Sequence, residues 1–240
     1  MKPQKNKDMK KLALSFIAFL MSLTIEAQNA EHLKFMGIPI DGKFNKFKKE
    51  LVKKGLHCNK IGDSYSFEGY FSGENAYIYP LVDGKTNNVY AVGVIIDCHA
   101  EDIARGKYLN FVRNLTEKYH AMSFDDLAKL FKEDPYKFYE NVKSGEFNEF
   151  NIINDSIENK TTFEISKVLE QDSHSSTIKN PVELAHYLVN NTGNIGMIIV
   201  DYYRREDPSE HSQNRGYAVS VVYRDKKNTD NQEKHNQDDL

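Results

Sequence analysis

"VYAVGVIID", residues 89–97, is apolar at successive positions and rich in β-branched side chains, with its one charge at the end. A strand that is apolar on both faces belongs inside a sheet, covered from two sides. The two segments before it alternate instead. "SYSFEGYF" (64–71) puts Tyr65, Phe67 and Phe71 on one side, and "NAYIYPLV" (75–82) puts Tyr77 and Tyr79 on one side with Ile78 on the other. Turn residues stand between them at Gly73-Glu74-Asn75, at Asp83-Gly84-Lys85 and at Asn87-Asn88. Connections this short make neighbours antiparallel, so the stretch reads as a meander of strands.

Outward from the meander the period changes. Upstream, "DGKFNKFKKELVKKGL" (41–56) carries Phe44, Phe47 and Leu51 on one helical face, with Asp41 to cap or precede the start and Gly55 to end it. Ile38-Pro39-Ile40 is the extended lead-in to that helix. Its other face holds Lys43, Lys46, Lys49 and Lys53, a pattern that reads as a solvated surface. Downstream, Tyr108, Phe111, Val112, Leu115 and Tyr119 are spaced for an amphipathic helix lying across the sheet. "FDDLAKLF" (124–131) predicts a short helix, "EFNEFNII" and "TTFEISKVL" weak strands, and Pro181 the first residue of a helix with Leu184, Tyr187 and Leu188. "NIGMIIVDYY" (194–203) and "RGYAVSVVYR" (215–224) predict a closing hairpin. The expected fold is α+β, antiparallel sheet with amphipathic helices packed on one face. One globular domain over 28–225 is expected, with 28–122 and 123–225 as two related halves in an alternative reading, then a polar tail over 226–240.

Residues 1–27 read as a processing segment. Lys10 and Lys11 precede the uncharged run "LALSFIAFLMSLTI" (12–25), and Ala27 offers a small residue for cleavage. The sequence therefore predicts export to the periplasm or cell surface, with no membrane span after cleavage. Beyond residue 27 there remain 27 basic and 33 acidic side chains, a formal charge of −6. That balance argues against nucleic acid as a partner.

"FMGIPIDGKFNKFKKELVKKGL" (35–56), "FEGYFSGENAYIYP" (67–80), "VYAVGVIID" and "YLNFVRNLTEKY" (108–119) resemble a family of uncharacterised exported proteins of Bacteroides and related gut anaerobes. Phe35, Gly37, Ile38, Pro39, Ile40, Asp41 and Gly42 match its opening motif, and Gly69, Phe71, Ser72 and Gly73 match its strand motif. "YRDKKN" and the final Asp238-Asp239-Leu240 are similar to its closing strand and acidic tail. The chain departs from the pattern at His120, where the family has Gly, and from about 132 to 180. The resemblance covers roughly two thirds of the chain after residue 27. It implies a fold and an exported location, and carries over no activity or site residue.

Chemistry-bearing motifs are sparse. No G-x-S-x-G, phosphate-binding glycine loop, H-E-x-x-H or paired C-x-x-C occurs, and no cofactor is expected. Asp97, Cys98, His99, Glu101 and Asp102 crowd one strand-to-helix junction, but strand alternation sends neighbours apart and acids suit a helix start. Cys58 and Cys98 are either joined in a disulfide or two separate thiols. Asp155-Ser156-Ile157 has the form of a short O-glycosylation acceptor at Ser156. Tyr65, Tyr77 and Tyr79, with Tyr70, form a candidate aromatic binding surface, set against ordinary core packing. The sequence thus leads to a non-catalytic binding or interaction module for an envelope protein, peptide or glycan. The alternative is an envelope-associated hydrolase working through scattered residues such as Glu68, Asp97, His99 and Asp201.

Overall fold

A computed structural model describes residues 32–62, 64–123, 126, 149–157, 159–168, 192–205 and 216–237 of the 240-residue chain. The segment read as a signal peptide, most of 124–131 and the predicted helix after Pro181 lie outside the described residues.

The described chain is α+β. A two-stranded hairpin, β1 (Lys34–Phe35) and β2 (Ile38–Pro39), leads into α1 (Phe44–Lys53). Then come β3 (His57–Ile61), β4 (Ser64–Phe71), β5 (Glu74–Val82) and β6 (Val89–Cys98), followed by α2 (Glu101–Tyr119) and β7 (Met122–Ser123). The later strands are β8 (Glu149–Ile157), β9 (Lys160–Val168), β10 (Thr192–Arg204) and β11 (Tyr217–Asp225), and α3 (Lys226–Gln237) closes the described chain. β3 to β11 make one nine-stranded sheet in the order β3-β4-β5-β6-β11-β10-β9-β8-β7. Its pairs are antiparallel except β7 with β8.

β6 is the interior strand that its composition demands, lying between β5 and β11. The β6–β11 ladder, running from Ala91 to Cys98, carries the sheet across the boundary between the two expected halves, so both halves share one sheet. Register then fixes what each face presents. Phe67, Ile78, Val94, Val221, Val200 and Thr161 stand in one row across six strands, and all are buried. This inner face is the core. α1 contributes Phe44, Phe47 and Leu51 to it, and α2 contributes Ala104, Tyr108, Phe111 and Leu115. The Tyr108 hydroxyl meets Thr161 Oγ1 at 2.7 Å, which satisfies both buried groups. Phe71 stacks between Phe35 and Phe111, at centroid distances of 5.5 and 5.8 Å, so the opening hairpin is welded into the core.

Two of the motif glycines, Gly37 and Gly73, have a conformational explanation. Met36 (φ 50°) and Gly37 (φ 79°) form the two-residue turn of the β1–β2 hairpin, and Ser72 (φ 52°) and Gly73 (φ 86°) form that of β4–β5. Paired positive φ angles are what a type I′ hairpin turn requires.

Of the two roles expected for Asp41, it precedes α1 and does not cap it. The N-cap is Lys43, without a side-chain bond, and the Asn87 carbonyl accepts the Phe44 amide at 2.9 Å instead. Residues 226–237 form α3, where a polar tail is expected from sequence. Asp225 Oδ1 accepts the Asn228 amide at 2.9 Å, a helix-capping bond, and Lys226 pairs with Asp230 one turn on. Of the two readings of Cys58 and Cys98, the separate thiols hold: both are free and the disulfide does not form. Cys58 stands in line with Val94 through Phe67 and Ile78, three strand spacings away. That is roughly 14 Å sideways before the further step along β6 to Cys98, beyond the reach of a disulfide.

His120 ends α2 in the left-handed conformation, φ 47° and ψ 39°, while the Ala121 amide reaches back to the Thr116 carbonyl at 2.9 Å. This is the position that favours glycine in a Schellman ending. His120→Gly is therefore expected to stabilise the protein by about 1 kcal/mol, a rise of about 2–4 °C in Tm by calorimetry. An unchanged or lower Tm contradicts this account of the helix end.

Candidate tyrosine cleft and outer sheet face

The face of the sheet turned away from the core follows from the same register. His57, Glu68, Tyr77, Ile95, Ser220, Asp201 and Lys160 stand in one row across it. Strand alternation places Tyr79 and Leu81 on this side of β5 and Tyr70 on this side of β4. The exposed large side chains gather here: Tyr70 at 71%, Tyr77 at 40%, Tyr203 at 39% and Leu81 at 38%.

Tyr65 does not share that face. Lys60, Tyr65 and Phe67 point to the core side, where the Tyr65 ring lies 4.9 Å from Phe44. Tyr65 and Tyr79 nevertheless meet at the end of the sheet. A cleft of about 430 Å³ opens there, walled by Phe44, Tyr65, Tyr79 and Tyr90, with Ser64 and Asn87 supplying polar groups. Its loop is held rigidly. Asp83 Oδ1 accepts the Lys85 and Thr86 amides at 2.9 and 2.6 Å and the Thr86 hydroxyl at 2.9 Å. Asn87 takes a positive φ of 58°. From the cleft, Tyr79 leads on to Tyr77 along the outer face. Burial pushes the Tyr79 and Tyr203 hydroxyls above their ordinary range, so both remain hydrogen-bond donors at neutral pH.

The acids of the hydrolase alternative share the outer face without converging. Glu68 and Asp201 are four strand spacings apart, roughly 19 Å, against the 5–9.5 Å that separates paired carboxylates in most glycoside hydrolases. Asp97 Oδ1 is held by Arg205 Nη1 at 2.6 Å. His99 follows the end of β6, outside the row. Asp201 is half-buried; burial raises its carboxyl against the Ser220 hydrogen bond and Lys160, and among the described residues its Oδ1 has no hydrogen-bond partner.

The junction after β6 also separates its groups. Asp97 faces outward to Arg205, Cys98 is buried on the core side, and Glu101 accepts the Tyr217 hydroxyl at 2.9 Å. Burial pushes the Cys98 thiol up, which keeps it protonated. Among the described residues no three His, Cys, Asp or Glu side chains gather to hold a metal ion. Ser156 lies in β8. Among the described residues no helix is long and apolar enough to cross a membrane.

Alternation made Tyr77 and Tyr79 legible as a pair. Tyr90, Phe44 and Asn87 were not legible as their companions, because the cleft forms only where α1 meets the β5–β6 loop. No family model, curated protein or solved structure matches the chain.

Proposed function

We propose that this is an exported, non-catalytic binding module that works in the periplasm or at the cell surface and takes its ligand on the tyrosine cleft and the adjoining outer strip of β5. The observation that carries the reading is the cleft itself, a preformed concavity with aromatic walls and a few fixed polar groups. The exposed tyrosines that continue from it, Tyr77 above all, extend the contact surface. The distance between Glu68 and Asp201 and the pairing of Asp97 with Arg205 favour binding over hydrolysis. Export is supported by the layout of residues 1–27.

The test is retention of oligosaccharides and peptides on immobilised arrays by the wild type and by Tyr77→Ser/Tyr79→Ser. The expected result is a ligand held by the wild type and weakened at least about tenfold in the variant, at closely similar Tm. Equal retention by both proteins contradicts the assignment of the surface. Turnover of a panel of glycosidase, esterase and peptidase substrates would contradict the non-catalytic reading.

A further inference from the structure

We propose that the outer strip of β5 takes a peptide that presents an arginine, its guanidinium held by Tyr77, Tyr70 and the Glu68 carboxylate. This rests on the binding-module reading and names the ligand class of the same surface. Glu68 is exposed and stands directly opposite Tyr77 in the β4–β5 ladder. Side chains paired in that way touch, with Cβ atoms about 5 Å apart. Tyr70 lies two residues along β4 from Glu68, on the same face, and is 71% exposed. Ring faces attract a cation, and a carboxylate beside them accepts its N–H groups. Among the described residues the Glu68 carboxylate meets one partner, the neutral amide of Asn59, whose Nδ2 donates to Oε1 at 2.7 Å, and no lysine or arginine. The other acid near the strip, Asp97, is already paired with Arg205. Lys48 and Lys60 lie near the Tyr65 ring on the core side, away from this surface. Glu68 is therefore the charge that the strip leaves to a ligand, and its sign selects a cation. Arginine fits better than lysine because its plane can stack on a tyrosine ring while its edge meets the carboxylate.

The spacing of the strip favours a peptide over a single small cation. Tyr79 and Tyr77 repeat on one face of β5, about 7 Å apart along the strand, and the side chains that an extended peptide turns to one side repeat at the same distance. A peptide laid along β5 with its arginine at Tyr77 thus brings the side chain two positions away to Tyr79, a wall of the cleft. Phe44, Tyr65 and Tyr90 offer an aromatic group its surroundings there. Gly93 is the β6 neighbour of Tyr79, so no side chain from that strand stands in the path.

The experiment is titration calorimetry of the full chain with the blocked pentapeptide phenylalanine-serine-arginine-serine-phenylalanine, which offers that spacing in either chain direction. The control peptide carries citrulline for arginine, which keeps the shape and removes the charge. The arginine peptide is expected to bind about tenfold more tightly than the control, and to lose about that factor in Glu68→Gln at an unchanged Tm. Raising the salt from about 50 to about 200 mM should weaken the arginine peptide and leave the control unaffected. Equal affinity for the two peptides overturns the charge assignment, and an arginine preference that survives in Glu68→Gln overturns the site. Binding of neither peptide overturns the ligand class; an oligosaccharide retained on the arrays by the same protein then leaves the binding-module reading in place.

Discussion

Gly196→Ala is expected to destabilise the protein by about 3 kcal/mol, a fall of about 6–12 °C in Tm. Gly196 sits beside a register shift in β10 and pairs with Asp225 of β11. A Cβ at this position would lie 2.3 Å from the Arg224 carbonyl oxygen and 3.1 Å from the Leu33 side chain. The obstruction is backbone, so no rotamer change relieves it, and the end of the β10–β11 ladder must open. Gly106→Ala is the control. Gly106 lies on the exposed face of α2 with nothing near a new Cβ, and alanine there should stabilise by about 0.5–1 kcal/mol. If both variants melt alike, the close approach at Gly196 is wrong.

The second large effect is at Asp225, a fully buried carboxylate. Oδ2 accepts the Leu33 amide at 3.0 Å and lies 3.1 Å from His32 Nδ1, while Oδ1 caps α3 through Asn228. Asn228 in turn donates to the Ile40 and Val89 carbonyls, at 2.7 and 3.1 Å. One residue therefore ties the opening segment, the central strand and the last helix together. Asp225→Ala leaves two backbone amides unsatisfied and removes a cap, for an expected loss of about 3–5 kcal/mol. Chemical denaturation at pH 7 measures it, and a loss below about 1 kcal/mol would contradict the role.

The pH dependence has a definite sign. Burial raises the Asp225 carboxyl above its ordinary range, outweighing the lowering by the Asn228 and Leu33 amides and His32. A raised folded-state pKa contributes stability that is complete below the unfolded value, about 3.9, and is lost as pH climbs through the folded one. Relative to Asp225→Asn, the wild type should therefore lose stability as pH rises upward from about 4. The opposite slope would mean that the hydrogen bonds outweigh burial.

How much of this was legible in the sequence depends on how local each cause is. β4, β5 and β6 could be read because alternation and β-branching are properties of adjacent residues, and α1 because Phe44, Phe47 and Leu51 repeat at helical spacing. β3, the strand expected at Cys58, carried the weakest signal of the meander: "HCNKI" is polar where it forms an edge of the sheet. α3 was read as a tail because it has no apolar stripe, and its anchors, Asp225 and Asn228, reach partners 139 to 192 residues away. The union of β6 with β11 is equally remote in sequence. The same distinction governs the site. Tyr77 and Tyr79 share a face by alternation, whereas the placing of Tyr65 in the same cleft depends on how α1 and the Asp83 loop close over the end of the sheet.

The central claim is that ligand is taken at that end of the sheet and along β5. Hydrogen exchange of the full chain, with and without the ligand selected on the arrays, tests it most directly. The account predicts slowed exchange confined to 64–67, 77–82 and 87–91, with α2 and β9 unchanged. Protection centred on α2 or β9, with none at 77–82, would contradict it.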